Sequence, residues 1–161
     1  MTDTALSDAI TSSVQRIRAA APGLQPAIAI VLGSGWDGIA SLVQGAVDIP
    51  YAELPAFPVP GVAGHAGSLR LGTMGEGAQA RAVALLRGRK HAYETGDAAG
   101  MKGAIRTLAA LGCQVVVLTN AAGSLEPEMA PGSLMLIADH LNMVQRTPLL
   151  GETGTSRFVA M

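Results

Sequence analysis

The sequence predicts an α/β fold with a mixed, largely parallel central sheet flanked by helices. Three observations lead there. Short apolar runs at 27–32, 115–118 and 134–138 suit strands buried on both faces of a sheet. Amphipathic helical spacing marks the opening segment, and a second helix is read over 98–111. Small residues follow two of the runs, at Gly33-Ser34-Gly35 and at Thr119-Asn120-Ala121-Ala122-Gly123-Ser124. The second stretch sits where an open α/β sheet puts its ligand crevice, outside the carboxyl end of a buried strand.

In chain order, Ala5, Ala9, Ile10, Val14, Ile17 and Ala21 recur at near-helical spacing until Pro22-Gly23 stops the segment. A buried strand over 27–32 follows and breaks at Gly33-Ser34-Gly35. A short helix over 36–43 and a short strand over 47–51 come next. Pro50, Pro55, Pro58 and Pro60 then impose an irregular loop, because proline lacks a backbone donor and restricts its predecessor. Residues 68–74 and 79–86 read as a hairpin joined by Gly75-Glu76-Gly77. The polar stretch 87–97 leads to a helix over 98–111, ended by Gly112 and weakened by Gly100 and Gly103. The strands at 115–118 and 134–138 complete the set, and the chain beyond Asn142 reads as loop. About six strands stand against two helices of any length, whereas a largely parallel sheet needs cover on both faces. Further chain or partner subunits are therefore expected to supply it.

At 161 residues the chain is expected to form one domain with a sizeable core. Eleven basic and twelve acidic residues leave a formal charge of −1, so no electrostatic footprint for nucleic acid is present and small-molecule ligands are favoured. Cys113 is the single cysteine, which excludes a disulfide framework and a cysteine metal set and suits a reducing cytoplasm. It reads as a small core residue leading into a strand. Asp3 and Asp8 interrupt the N-terminus, no apolar run reaches spanning length, and neither a signal peptide nor a membrane partner is predicted.

Gly33-Ser34-Gly35-Trp36-Asp37-Gly38 is literally G-x-G-x-x-G after a strand, with Glu53 about twenty residues on, as a dinucleotide fingerprint asks. Such a site needs its acidic residue at the end of a second buried strand, but Glu53 lies in the proline-rich loop. The loop is read instead as an anion cradle of backbone N–H groups and the Ser34 hydroxyl, against the plainer possibility of a glycine turn. Arg89, His91 and Tyr93 occupy alternate positions and share a side if the backbone is extended. A guanidinium fork and an imidazole suit phosphate, and an aromatic ring can cover a sugar face. Lys90 points the other way on that reading, with its backbone bordering the pocket. His65 stands among glycines. Asp139 and His140, consecutive at a strand end, are expected to satisfy loop hydrogen bonds, and no metal cluster is found.

Five blocks carry a resemblance: GSGWDGIA at 33–40, FPVPGVAGHAGSL at 57–69, GRKHAYE at 88–94, TNAAGSLEPEMAPGSLMLIADHLN at 119–142 and RFVAM at 157–161. In order and spacing they resemble the trimeric purine nucleoside phosphorylase family, over its N-terminal portion. The resemblance implies that phosphate attacks the anomeric carbon of a purine nucleoside, giving free base and ribose 1-phosphate, in cytoplasmic purine salvage. It implies phosphate contacts from Ser34, His65, Arg89, Lys90, His91 and Ala121, with Ser34, Arg89 and His91 catalytic. It places Tyr93 at the ribose, and Ala121, Ala122, Gly123 and Phe158 at the base. Phe158 is implied to reach a neighbouring subunit's site in a homotrimer. Neither cofactor nor metal is implied, inorganic phosphate being a co-substrate.

The sequence departs from the family at Lys90 (usually apolar), Thr95 (glycine), Ser124 (glycine) and Glu126 (asparagine). The family's acidic purine-gripping residue and its base-contacting asparagine fall beyond position 161, so base preference is open and the chain alone is expected to be inactive or unstable. The alternatives are methylthioadenosine phosphorylase, suggested by Gly123-Ser124-Leu125, and a non-catalytic phosphate-binding fragment.

Overall fold

The computed structural model describes residues 3–58 and 67–158. Helix α1 spans Asp3–Ala20 and strand β1 Ile28–Val31. A 3₁₀ turn over Asp37–Leu42 leads to β2, Gln44–Pro50, and a second over Tyr51–Glu53 follows. The hairpin is β3, Ser68–Met74, and β4, Arg81–Arg87. Then come α2, Ala92–Thr95, α3, Lys102–Leu111, and β5, Val115–Leu118.

The sheet runs β2-β3-β4-β1-β5. β2 with β3 and β3 with β4 are antiparallel, while β4 with β1 and β1 with β5 are parallel. The expectation of a largely parallel sheet is thus corrected to an evenly mixed one. The reason is local, since the hairpin turn at 75–80 and the β2–β3 pairing keep half of the sheet within one antiparallel meander. That meander is reinforced where Asp48 and Arg70 face each other across the strands. Arg70 donates to both carboxylate oxygens, at 2.8 and 2.6 Å, and holds the Asp48 carboxyl below its ordinary range.

Alternation along the strands divides the apolar residues between two faces. Ala29, Val31, Leu69, Leu71, Ala84 and Leu86 point into the main core beneath α1 and α3. Val83 and Leu85 point to the other face, where Ala40 and Val43 cover them and Trp36 and Ile39 pack alongside. A 3₁₀ turn thus does on one face what two helices do on the other.

The expected helix over 98–111 begins only at Lys102, because Asp97 turns the preceding backbone by accepting the Ala99 N–H at 2.8 Å. Gly103, counted against this helix from sequence, has a packing role: a Cβ there would lie 2.2 Å from the Ala56 carbonyl oxygen. Its absence lets α3 close onto the proline-rich loop. Ser13, fully buried on α1, grips the same loop by accepting the Ala56 N–H at 3.0 Å. Cys113 packs partly buried against this core, and burial raises its thiol pKa.

The predicted strand over 134–138 does not form. Leu134, Met135, Leu136 and Ile137 are exposed and join no ladder among the described residues. An apolar run signals a demand for burial, but a strand also needs a paired neighbour and a covered face. Among the described residues β5 itself is paired only with β1, and it is exposed throughout, Leu118 most of all.

Candidate functional site

The parallel half of the sheet brings three chain exits together. Val31 is level with Leu86 of β4 and with Leu118 of β5, so the loops at the carboxyl ends of β1, β4 and β5 leave the sheet side by side. Gly33 lies at their junction. A Cβ there would stand 2.4 Å from the Thr119 carbonyl oxygen, 2.9 Å from Asn120 Cα and 3.0 Å from Arg89 Nη1. Only a residue without a side chain fits.

Thr119 locks the junction. Its buried hydroxyl donates to the Val31 carbonyl at 2.9 Å and accepts the Gly33 N–H at 2.8 Å, while its own carbonyl accepts from Arg89 Nη1. Trp36 Nε1 donates to the Asn120 carbonyl at 3.1 Å, tying the turn after β1 to the loop after β5 a second time. Gly35 has φ +84, a backbone state that side-chain-bearing residues rarely adopt. Ser34 sits exposed between these two glycines, directly beside the Arg89 guanidinium's neighbour Gly33.

Arg89 is supported from below. The Tyr51 hydroxyl donates to the Gly88 carbonyl at 2.8 Å, and burial raises the phenol pKa, so it stays a neutral donor. Gly67 packs on the same ring and against Gly88. Arg87, at the end of β4, pairs with Asp37 at 3.1 Å. Lys90 turns away from the junction: its stem packs over Gly100 and its ammonium lies 3.8 Å from Asp97.

His91 caps α2, with its N–H donating to Glu94 Oε1 at 2.9 Å. Its ring stacks on Tyr93, with centroids 4.8 Å apart and planes inclined by 15°. The two rings meet because a helix starts between them, whereas the sequence suggested extended alternation. Tyr93 keeps most of its surface open. Ala121, Ala122 and Gly123 follow Asn120 along an exposed, irregular path. Phe158 stands apart, 70% exposed, with the Arg157 guanidinium 4.7 Å from its ring centre. His65 lies outside the described residues.

Glu53, the acidic partner that a dinucleotide site would require, is held by Arg16 of α1, and β2 is antiparallel to its neighbour. Among the described residues nothing of a βαβ dinucleotide unit is built around it. Asp139 accepts the His140 N–H at 2.7 Å, a loop hydrogen bond of the kind expected there.

Sequence reading missed Thr119, Trp36 and Tyr51 as the parts that hold the junction. Two carried a signal: a threonine follows the apolar run 115–118, and an indole donor follows a glycine loop. For Tyr51 the partner is a backbone carbonyl 37 residues away, which no local pattern encodes.

A sequence profile of the Phosphorylase superfamily matches residues 27–161. Purine nucleoside phosphorylase from Mycobacterium leprae is 46% identical over 125 residues, covering 77% of this chain and 45% of the relative. The Schistosoma mansoni enzyme solved with inosine superposes with a TM-score of 0.63 at 30% identity, covering 76% of this chain and 41% of the other. Isoform 2 of that organism's enzyme, with cytosine and ribose 1-phosphate, gives 0.64 at 30% identity and the same coverage. The chain spans about half the length of the curated relatives it matches. With a match across most of its length, the chain belongs to the phosphorylase superfamily.

Proposed function

We propose that the protein carrying this chain cleaves purine nucleosides with inorganic phosphate, giving free base and ribose 1-phosphate. The observation that supports this reading is the junction of Gly33, Arg89 and Thr119 at the carboxyl ends of three parallel strands. Relatives of the same family bind inosine and ribose 1-phosphate.

In this scheme the phosphate sits against the Ser34 hydroxyl, the Arg89 guanidinium, the His91 imidazole and the Ala121 N–H, with His65 and the Lys90 backbone at its border. Cleavage of the glycosidic bond leaves positive charge on the sugar, so a fixed phosphate dianion stabilises that charge and then forms the new bond to the anomeric carbon. The bonding pair of the old bond leaves with the purine. Tyr93, already stacked on His91, offers its open face to the ribose. Ala121, Ala122 and Gly123 line the base, and Phe158 is contributed to a neighbouring site in a homotrimer. Residues 1–161 then form part of one phosphorylase domain, the reaction needs no cofactor, and the enzyme works in the cytoplasm.

The test uses the complete gene product with inosine or guanosine. Base release is expected only when phosphate is supplied, with ribose 1-phosphate as the second product. Equal release in phosphate-free buffer points to a hydrolase and overturns the reading. Preference for methylthioadenosine over inosine assigns the protein to the other branch of the same chemistry.

A further inference from the structure

We propose that Glu152 and Arg157 are positioning residues that present the Phe158 ring to bound nucleoside, anchored to the body of the protein through Lys102 and Arg106 of α3. The inference rests on the reading of Phe158 given above.

A contiguous chain of contacts supports it. Lys102 Nζ donates to one Glu152 carboxylate oxygen at 2.7 Å, and Arg106 Nη2 donates to the other at 2.7 Å. The two cations are four residues apart and therefore share one face of α3. The opposite face buries Ala104, Thr107, Leu108 and Leu111 against the core, so the anchor belongs to a fixed helix. Glu152 then passes the constraint on: its backbone carbonyl accepts from Arg157 Nη1 at 2.9 Å. That guanidinium also lies 4.7 Å from the Phe158 ring centre, within cation–π range. A short 3₁₀ turn spans Thr155–Arg157, and the Phe158 N–H closes it by donating to the Thr155 carbonyl at 3.0 Å.

The arrangement answers a physical need. Phe158 is 70% exposed and Leu150, earlier in the same segment, is 85% exposed, so apolar packing does not hold this stretch of chain. The Lys102–Glu152 pair, by contrast, is sheltered, with side chains 17% and 18% exposed. An aromatic ring that must meet a ligand from an open position binds it more weakly in proportion to the time it spends elsewhere. A carboxylate fixed at both oxygens, joined through one guanidinium to the ring, reduces that loss. None of the four polar residues is part of the apolar core, so removing the link is expected to leave the fold in place.

The experiment is steady-state kinetics on the complete gene product, comparing Glu152→Gln, Arg157→Ala and Phe158→Ala. Release of the ring is expected to raise KM for inosine about three- to tenfold in the first two variants, the factor by which the competent population falls. KM for phosphate and kcat should stay within about twofold on the same argument, and Arg157→Lys should recover part of the loss. Adding either change to Phe158→Ala should cost nothing more, because the ring they serve is gone.

Unchanged inosine KM in Glu152→Gln and Arg157→Ala, with a raised KM in Phe158→Ala, overturns the positioning role and leaves Phe158 at the base. An unchanged KM in Phe158→Ala removes the reading beneath it, and the proposal falls with it. A rise in both KM values with a lowered Tm identifies a general structural role and also overturns it. So does a double variant whose losses multiply.

Discussion

At the scale of single residues, the candidate site is decided by what is missing as much as by what is present. Gly33 has no room for a methyl group, since the nearest obstacle at 2.4 Å is a backbone carbonyl that cannot rotate aside. Gly33→Ala is therefore expected to push apart the loops after β1 and β5, at a cost of about 1–3 kcal/mol of overpacking. Denaturant midpoints and phosphate-dependent turnover of the complete gene product should fall together. Arg89 acts differently, as a partly buried charged donor. Arg89→Ala is expected to remove about 1.5–3 kcal/mol from phosphate recognition. At about 1.4 kcal/mol per factor of ten, KM for phosphate should rise roughly ten- to hundredfold. An unchanged phosphate dependence would remove Arg89 from the site. Both residues were legible in the sequence as members of motifs. The reason Gly33 must be glycine was not, because its obstacles come from positions 119 and 120.

At the scale of elements, α3 connects the core to the surface segment that follows the sheet. Gly103→Ala sets two effects against each other. Alanine favours a helix over glycine by about 1 kcal/mol, but its Cβ would lie 2.2 Å from the Ala56 carbonyl oxygen. Overpacking of that severity costs about 1–3 kcal/mol and outweighs the helical gain. A lower Tm is expected, and a higher one would show that the proline-rich loop yields easily. On the outer face of α3, hydrogen bonds from Lys102 and then Arg106 hold the Glu152 carboxyl below its ordinary value of 4.5. A depressed folded pKa contributes stability that is complete above the unfolded value and lost as pH falls through the folded one. In an NMR titration, the Phe158 ring resonances should therefore move with the Glu152 carboxyl, at a midpoint below 4.5. Movement at or above that value would break the link between them. The helix and its glycine stop were readable in the sequence, but not its cations' shared partner some 50 residues away.

At the scale of the whole molecule, cover is unevenly distributed. The main core is closed by α1 and α3, while β5 is exposed from Val115 to Leu118 and the apolar run at 134–137 is exposed as well. Uncovered apolar surface of this extent binds hydrophobic probes and promotes association. The 161-residue chain expressed by itself should enhance the fluorescence of such a dye in its folded state. Lysine at Leu118, 71% exposed, should reduce that signal without lowering Tm. A signal as weak as that of a well-covered domain would show that β5 is shielded in solution.

The sequence alone determined the elements whose causes are local: α1 from helical spacing, the β3–β4 hairpin from two runs around glycines, α3 with its glycine stop, and β1 and β5 from short apolar runs. It also carried the phosphorylase resemblance, because the glycine loops and the Arg89–Tyr93 stretch are contiguous motifs. Tertiary structure decided the strand order, the even mixture of parallel and antiparallel pairs, and the absence of a strand over 134–138. It also decided that Gly33, Arg89 and Thr119 meet. The division follows from range: periodicity records which residues seek burial, whereas pairing and convergence depend on partners far along the chain that no local pattern names.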